Sequence, residues 1–261
     1  MNTYNQGQIT IRRAEHTDIP ALADVTSACF SDDILWQVRQ LSYRYWKVAL
    51  GSGSVETWLW LVEGRTAGFS VVVFDLATWV DEKRKLRYGP STRLLALIKH
   101  PRLIVRKLDS TARLLFRSHP EASNQQTTPL SEFPPLESGI ASLQLVHYGG
   151  IYCNPAALAW GELAGVLPAY RKFGLALDIL RFNESRAREL GCAAIGGVVE
   201  AEREAWCWIH ERLHYLPALS VLQHGRRRTT YIKILDPTRS EIRSSYPDDH
   251  AKKEVVVIYA Q

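Results

Sequence analysis

Cysteine is scarce in this chain: four in 261 residues, Cys29, Cys153, Cys192 and Cys207, widely spaced and without a CxxC pair. That spacing excludes a zinc ribbon and a thioredoxin-like redox motif, and a reduced, cytoplasmic setting is the expectation. Long apolar runs are missing as well. The opening MNTYNQGQITIRRAEH has no signal core, and no stretch approaches the length that spans a bilayer, so the chain reads as soluble, with peripheral membrane contact left open. There is no GxxxxGK[ST] phosphate loop, no internal repeat, and no zinc-finger or RNP signature. His147-Tyr148-Gly149-Gly150 has the look of an oxyanion loop, but no GxSxG elbow accompanies it, which argues against a serine hydrolase.

What is present describes an ordinary folded protein. Hydrophobic residues make up 46% and charged residues 23%, which excludes wholesale disorder, a collagen-like chain and a coiled coil. The length suits a single domain carrying an insertion. Lys and Arg number 32 against 27 Asp and Glu, a formal charge of +5. The excess is local: residues 81–120 hold eleven Lys or Arg and three Asp or Glu, so the remainder of the chain sums to about −3.

Periodicity predicts a strand over residues 8–13 with Ile9 and Ile11 on one face, then a helix capped by Thr17 or Asp18 and buried through Ile19, Leu22, Val25 and Cys29. A second amphipathic helix spans 33–50 and stops at the Gly-Ser cluster 51–54. Strands at 57–63 and 68–74, joined by a turn around Gly64, form an antiparallel pair. Residues 81–120 read as two or three short basic amphipathic helices, and 118–139, rich in Ser, Thr, Gln and Pro, as a linker. Further elements are a strand at 157–166, a helix at 175–190 closed by Gly191, a buried strand at 192–199, a helix at 202–213, and strands at 218–223 and 229–235. Residues 255–259 are a candidate edge strand.

The most informative stretch is LAGVLPAYRKFGLA, residues 163–176, where a strand runs into a turn and a glycine-bearing helix start. Successive backbone N–H groups after Pro168, the room at Gly174 and the helix dipole make an anion cradle, to which Arg171 and Lys172 add cationic side chains. Arg171-Lys172-Phe173-Gly174-Leu175-Ala176 also matches [Q/R]xxGx[G/A], the acyl-CoA signature of the GCN5-related N-acetyltransferases, which this sequence resembles. The preceding Val166-Leu167-Pro168-Ala169-Tyr170-Arg171 has the form VxPxYR common before that signature. The opening ITIRRAEHTDIPALADV and the later IHERLHY, 209–215, look like the family's first strand and helix and its FYEKLGF segment. The resemblance covers roughly 8–75 and 157–235.

The resemblance implies an α/β fold: a mixed sheet that splays between its fourth and fifth strands, with acyl-CoA in the opening and a basic helical insertion between the third and fourth strands. Ala164 and Val166 would hold pantetheine. The run Arg171, Lys172, Phe173, Gly174, Leu175 and Ala176 would bind the pyrophosphate. The reaction would be acetyl transfer from acetyl-CoA, with no metal, to a primary amine of a small molecule, an amino sugar or nucleotide-linked amino sugar among the candidates. Glu162, on the fourth strand, is the candidate base. Simple alternation puts it on one face with Trp160, Ala164 and Val166, where apolar neighbours would raise its pKa. His210 stands where the family places the tyrosine that protonates the leaving sulfur, and is the candidate acid. Arg203 and Trp206 replace the family's Asn and Ala, so those cofactor contacts do not carry over; Trp206 and Trp208 are candidates to cover apolar surface near the acceptor.

The expected organisation is an N-terminal half at 1–75, an insertion and linker at 76–150, a C-terminal half with the acyl-CoA motif at 151–235, and a tail at 236–261. The insertion reads as a lid, or as a surface for an anionic acceptor, a membrane or RNA. Two rival functions stay open: a non-catalytic acyl-CoA sensor and an RNA- or membrane-associated acyltransferase. A homodimer is an admissible assembly.

Overall fold

The computed structural model describes residues 9–31, 33–86, 146–148, 151–223, 226–238 and 242–244. Residues 87–145, which hold most of the basic segment and all of the linker, and the candidate edge strand at 255–259 lie outside the described residues.

The first strand, β1 (Ile9–Arg13), is followed by α1 (Ile19–Cys29), whose Ile19, Leu22 and Val25 are buried as the spacing requires. Asp18 does stand at the N-cap, but its carboxylate caps no helical N–H of α1. It is taken instead by Arg12, at 2.6 and 2.7 Å, and by the Glu15 amide at 2.8 Å, so it ties β1 to the helix start. Ile11 is exposed, because β1 is an edge strand. The single helix expected at 33–50 is two: α2 (Ile34–Gln37) and α3 (Arg39–Gly51). Val38 breaks them by taking an extended conformation, and its carbonyl then accepts from Leu41 and Ser42 to start α3.

The hairpin β2 (Val55–Val62) and β3 (Arg65–Val73) turns at Glu63-Gly64, both at positive φ. Asp75 caps α4 (Leu76–Lys85) by accepting from the Thr78 amide and hydroxyl. After the undescribed segment come β4 (Val146–Tyr148) and β5 (Ile151–Cys153), paired antiparallel, so His147 and Tyr148 belong to a hairpin strand. Then follow β6 (Leu158–Val166), α5 (Leu175–Glu189), β7 (Ala194–Glu200), α6 (Glu204–Arg212), β8 (Leu216–Gln223), β9 (Arg226–Ile234) and β10 (Ile242–Ser244).

Seven strands form one sheet in the order β1-β2-β3-β6-β7-β9-β8, while β10, β5 and β4 form a separate small sheet. Every pairing in the large sheet is antiparallel except β6 with β7. Both faces are covered. On one, α1 and α3 pack over Phe69, Val71 and Val73 with Trp36, Tyr45, Trp46 and Trp79 in edge-to-face and tilted contacts. On the other, α5 and α6 bring Leu180, Ala187, Ile209 and Leu213 against Val72, Ala159 and Ile195. The mixed α/β sheet is thus as expected; the helical character of the insertion is described only for α4.

Candidate active site

Strands β6 and β7 run parallel and are paired over four residues, from Leu158 opposite Ala194 to Gly161 opposite Gly197. Beyond Gly161, β6 continues to Val166 paired with β3 alone, and β7 continues to Glu200 paired with β9. The sheet therefore parts between its fourth and fifth main strands. At the parting point Gly196 carries no side chain because Trp160 lies over it: a Cβ there would come within 2.9 Å of the indole. A cleft of about 250 Å³ fills the opening. Its floor and one wall are β6 residues 161–164 and β7 residues 195–200, and α5, α6 and the α1–α2 connection close it.

The cleft wall on β6 contains a bulge. Val71 pairs with Leu163 but Val72 pairs with Gly161, leaving Glu162 as the extra residue. Its effect on alternation is visible in the packing. Before the bulge Trp160 faces the α1–α3 side and Ala159 the α5 side; after it Leu163 faces α1–α3, while Ala164 and Val166 pack under α5. Glu162 therefore does not share a face with Ala164 and Val166 as strict alternation required. Nor are its neighbours purely apolar. Lys83, from α4, places Nζ 2.6 Å from Glu162 Oε1, with its ammonium 5.8 Å from the Trp79 ring. Glu162 nonetheless lines the cleft, with 14% of its side chain exposed.

The signature residues form the predicted junction, with one refinement: Pro168–Phe173 is a turn of 3-10 helix before α5 begins. Gly174 has φ 75°, is exposed, and has nothing within 4 Å of where a Cβ would stand. A side chain there would be strained whatever its size, whereas a ligand has room. No side chain caps the helix start, and the first intrahelical acceptor is Gly174 O, taken by Leu177 and Asp178. The amides of Leu175 and Ala176 thus have no acceptor within α5, and beside the open Gly174 position they meet the condition for holding an anion, so the residues present fit a phosphate. Below this lip Leu175 and Val166 are buried with Trp60, Val62 and Ile179, and Ala176 is partly buried. Arg171 is exposed and donates Nε to Val166 O at 3.2 Å. Near it burial pushes the Cys29 thiol up to about 11, against the opposing pull of Arg171 and Arg203. The Lys172 side chain and its contacts lie outside the described residues.

His210 lines the cleft and is 6% exposed. Its Nδ1 is 2.7 Å from the Trp206 carbonyl, so Nδ1 must carry a proton and donate. Tyr215 and Tyr231 pack against the ring at 4.9 and 5.0 Å. Burial lowers the histidine pKa and the Trp206 carbonyl only partly opposes it, so at neutral pH the ring is neutral with Nε2 unprotonated. Trp206 lines the cleft, but Trp208 is 56% exposed and covered by the guanidinium of Arg212.

Several further residues line the cleft, and of these only Arg203 was singled out by the sequence, as a departure from the family pattern. Phe30, Asp33 and Trp36 come from around the helix break, Asn183 from α5, and Glu200, Arg203, Arg226 and Arg228 from the far end of the parting. Burial works to raise the Glu200 carboxyl, but the guanidiniums of Arg228, Arg226 and Arg203 outweigh it and hold it below the usual range. The run Arg226-Arg227-Arg228 was the one local signal; the rest are joined only by topology.

No family model matches the sequence, and no curated protein matches it closely enough to count. Solved structures do. The ribosomal-protein-S18-alanine N-acetyltransferase from Escherichia coli superposes with a TM-score of 0.51 at 11% identity, covering 89% of this chain and 97% of the other. An N-acetyltransferase from Staphylococcus aureus Mu50 superposes with a TM-score of 0.50 at 11% identity, covering 87% and 99%. The parted mixed sheet and the glycine cradle at the end of β6, together with these superpositions, give this chain the fold of the GCN5-related N-acetyltransferases.

Proposed function

We propose that the protein transfers an acetyl group from acetyl-CoA to the primary amine of a small molecule. The observation that carries this reading is the parting of β6 and β7 beside the Gly174 cradle, with two proton-accepting side chains, Glu162 and His210, lining the same cleft. Bound acetyl-CoA would supply an activated thioester. The amides from Lys172 to Ala176 would hold its pyrophosphate, Arg171 would add charge, and the edge of β6 that parts from β7, around Ala164 and Val166, would take its pantetheine arm.

An amine acceptor reaches the site as an ammonium and must lose a proton before it can attack. Glu162 is the base in this reading: it is ionisable, lines the cleft, and already binds an ammonium, that of Lys83. His210 suits a different task from the one its sequence position suggests. With Nδ1–H committed to Trp206 O, its Nε2 has a lone pair to accept a proton at neutral pH, and it becomes a donor to the departing sulfur only after taking one up. The acceptor is read as a small primary amine; the amino-sugar form has no residue in the cleft that favours it over others.

Thiol release from acetyl-CoA across a panel of primary amines tests the reading. Glu162→Gln is expected to lower turnover about 10²–10⁴-fold with acetyl-CoA affinity retained. Equal turnover removes Glu162 from the mechanism. Acetyl-CoA binding without thiol release for any amine would favour a sensor instead.

A further inference from the structure

The amine nearest the candidate base belongs to the protein itself. We propose that Lys83 is an acyl acceptor in cis, acylated by the acyl-CoA that the cleft binds; the inference rests on the acetyl-transfer reading above. A nucleophilic amine needs a base within hydrogen-bond reach and a place beside the thioester. Lys83 Nζ is 2.6 Å from Glu162 Oε1, and Glu162 sits in the β6 bulge that lines the cleft. The Trp79 ring lies 5.8 Å from the ammonium, one turn back on α4, whose start is capped by Asp75. Among the described residues, two other lysines lack the combination. Lys47 is exposed on α3, and Lys233 is bound to Glu184 at 2.8 Å, a carboxylate that does not line the cleft.

Glu162 takes one proton from the Lys83 ammonium, and the freed lone pair attacks the thioester carbonyl carbon. A C–N bond forms as the C–S bond breaks, and the second proton of the nitrogen goes to the departing sulfur. Per event, Lys83 gains one acyl group, and one CoA thiol and one proton are released. Acylation cancels the Lys83 charge and removes both the ion pair and the cation–π contact, leaving Glu162 free to receive the ammonium of an external acceptor.

The full chain is incubated with acetyl-CoA and no amine, then followed by intact mass, peptide mapping and thiol release, with acetyl-CoA binding measured in parallel by calorimetry. One acetyl group per chain is expected, on the peptide containing Lys83, with an equal amount of thiol and a first-order rate independent of protein concentration. Lys83→Arg keeps the cation and should lose the label. Glu162→Gln should slow labelling about 10²–10⁴-fold while binding persists. Binding without label on Lys83, or label there no faster than on Lys47 or on the urea-unfolded chain, overturns this proposal and leaves the acetyl-transfer reading standing. Absence of acetyl-CoA binding overturns both.

Discussion

His210 is held neutral by what surrounds it: its ring lies between Tyr215 and Tyr231, and its one polar tie is to a carbonyl. Its folded pKa is below the ordinary 6.5, so protonation costs more in the folded chain than in the unfolded one. The stability this contributes is full above the unfolded value and is lost as the pH falls through it towards the folded value. Between pH 7.5 and 5.5, urea unfolding of the wild type should therefore lose more stability than that of His210→Gln, with a difference of up to about 1.4 kcal/mol per pH unit. Parallel pH curves for the two proteins would show that the ring titrates alike in both states. The residue scale also divides what the sequence makes legible. Gly174 is readable because its requirement is local: a backbone at φ 75° and open space are demanded by the strand-turn-helix junction itself. Arg203, Arg226 and Arg228 converge on Glu200 from two elements, and no local pattern announces such a meeting.

Among the elements, β6 shows most plainly how a small local event redirects function. Its identity and near-exact bounds follow from its apolar run, but the bulge at Glu162 inverts the facing of every later residue, and the pairing partner that forces this lies about ninety positions earlier in the chain. The ion pair that turns Glu162 towards α4 is equally remote in sequence. Similarly, the helix expected across residues 33–50 divides at Val38 because Trp36 and Leu41 are both drawn into burial, a tertiary demand that amphipathic spacing alone does not encode. Helix α5 is fixed to the sheet by another long-range contact. Arg186 donates Nη2 and Nε to Glu56 at 2.8 and 3.1 Å, stacks over Trp58 at 5.5 Å and also pairs with Glu189, while the Glu56 side chain is 7% exposed. Removing one partner leaves the other charge partly buried and uncompensated. Glu56→Ala is expected to destabilise the protein by roughly 2–4 kcal/mol, less than for a fully buried pair because Arg186 retains some exposure. The urea midpoint measures it; a shift within about 0.5 kcal/mol of zero would mean that the pair is a solvated surface contact.

At the scale of the whole molecule, one sheet is made from two lobes that share little. β1, β2, β3 and β6 form one, β7, β9 and β8 the other, and between β6 and β7 only four residue pairs join them before the strands part. The net positive charge belongs mainly to residues 81–120, so the formal +5 says little about the cleft, whose charged lining mixes Asp33, Glu162 and Glu200 with Arg203, Arg226 and Arg228. A ligand laid along the parting would touch both lobes and bind the folded chain alone, and on the proposed function that ligand is acetyl-CoA. Binding of this kind adds RT ln(1 + [L]/Kd) to stability, about 2.7 kcal/mol at a hundredfold excess over Kd. For a chain of this size that corresponds to a rise in melting temperature of about 5–10 °C. Gly174→Asp should abolish the rise, since it sets a strained, negatively charged side chain at the lip of the cradle, while the melting temperature of the variant without ligand falls by only a few degrees. Unequal effects of the substitution on the two melting temperatures separate loss of the phosphate site from general destabilisation. Wild-type protein whose melting temperature does not respond to acetyl-CoA would remove acyl-CoA from the parting altogether, whatever the likeness of the fold.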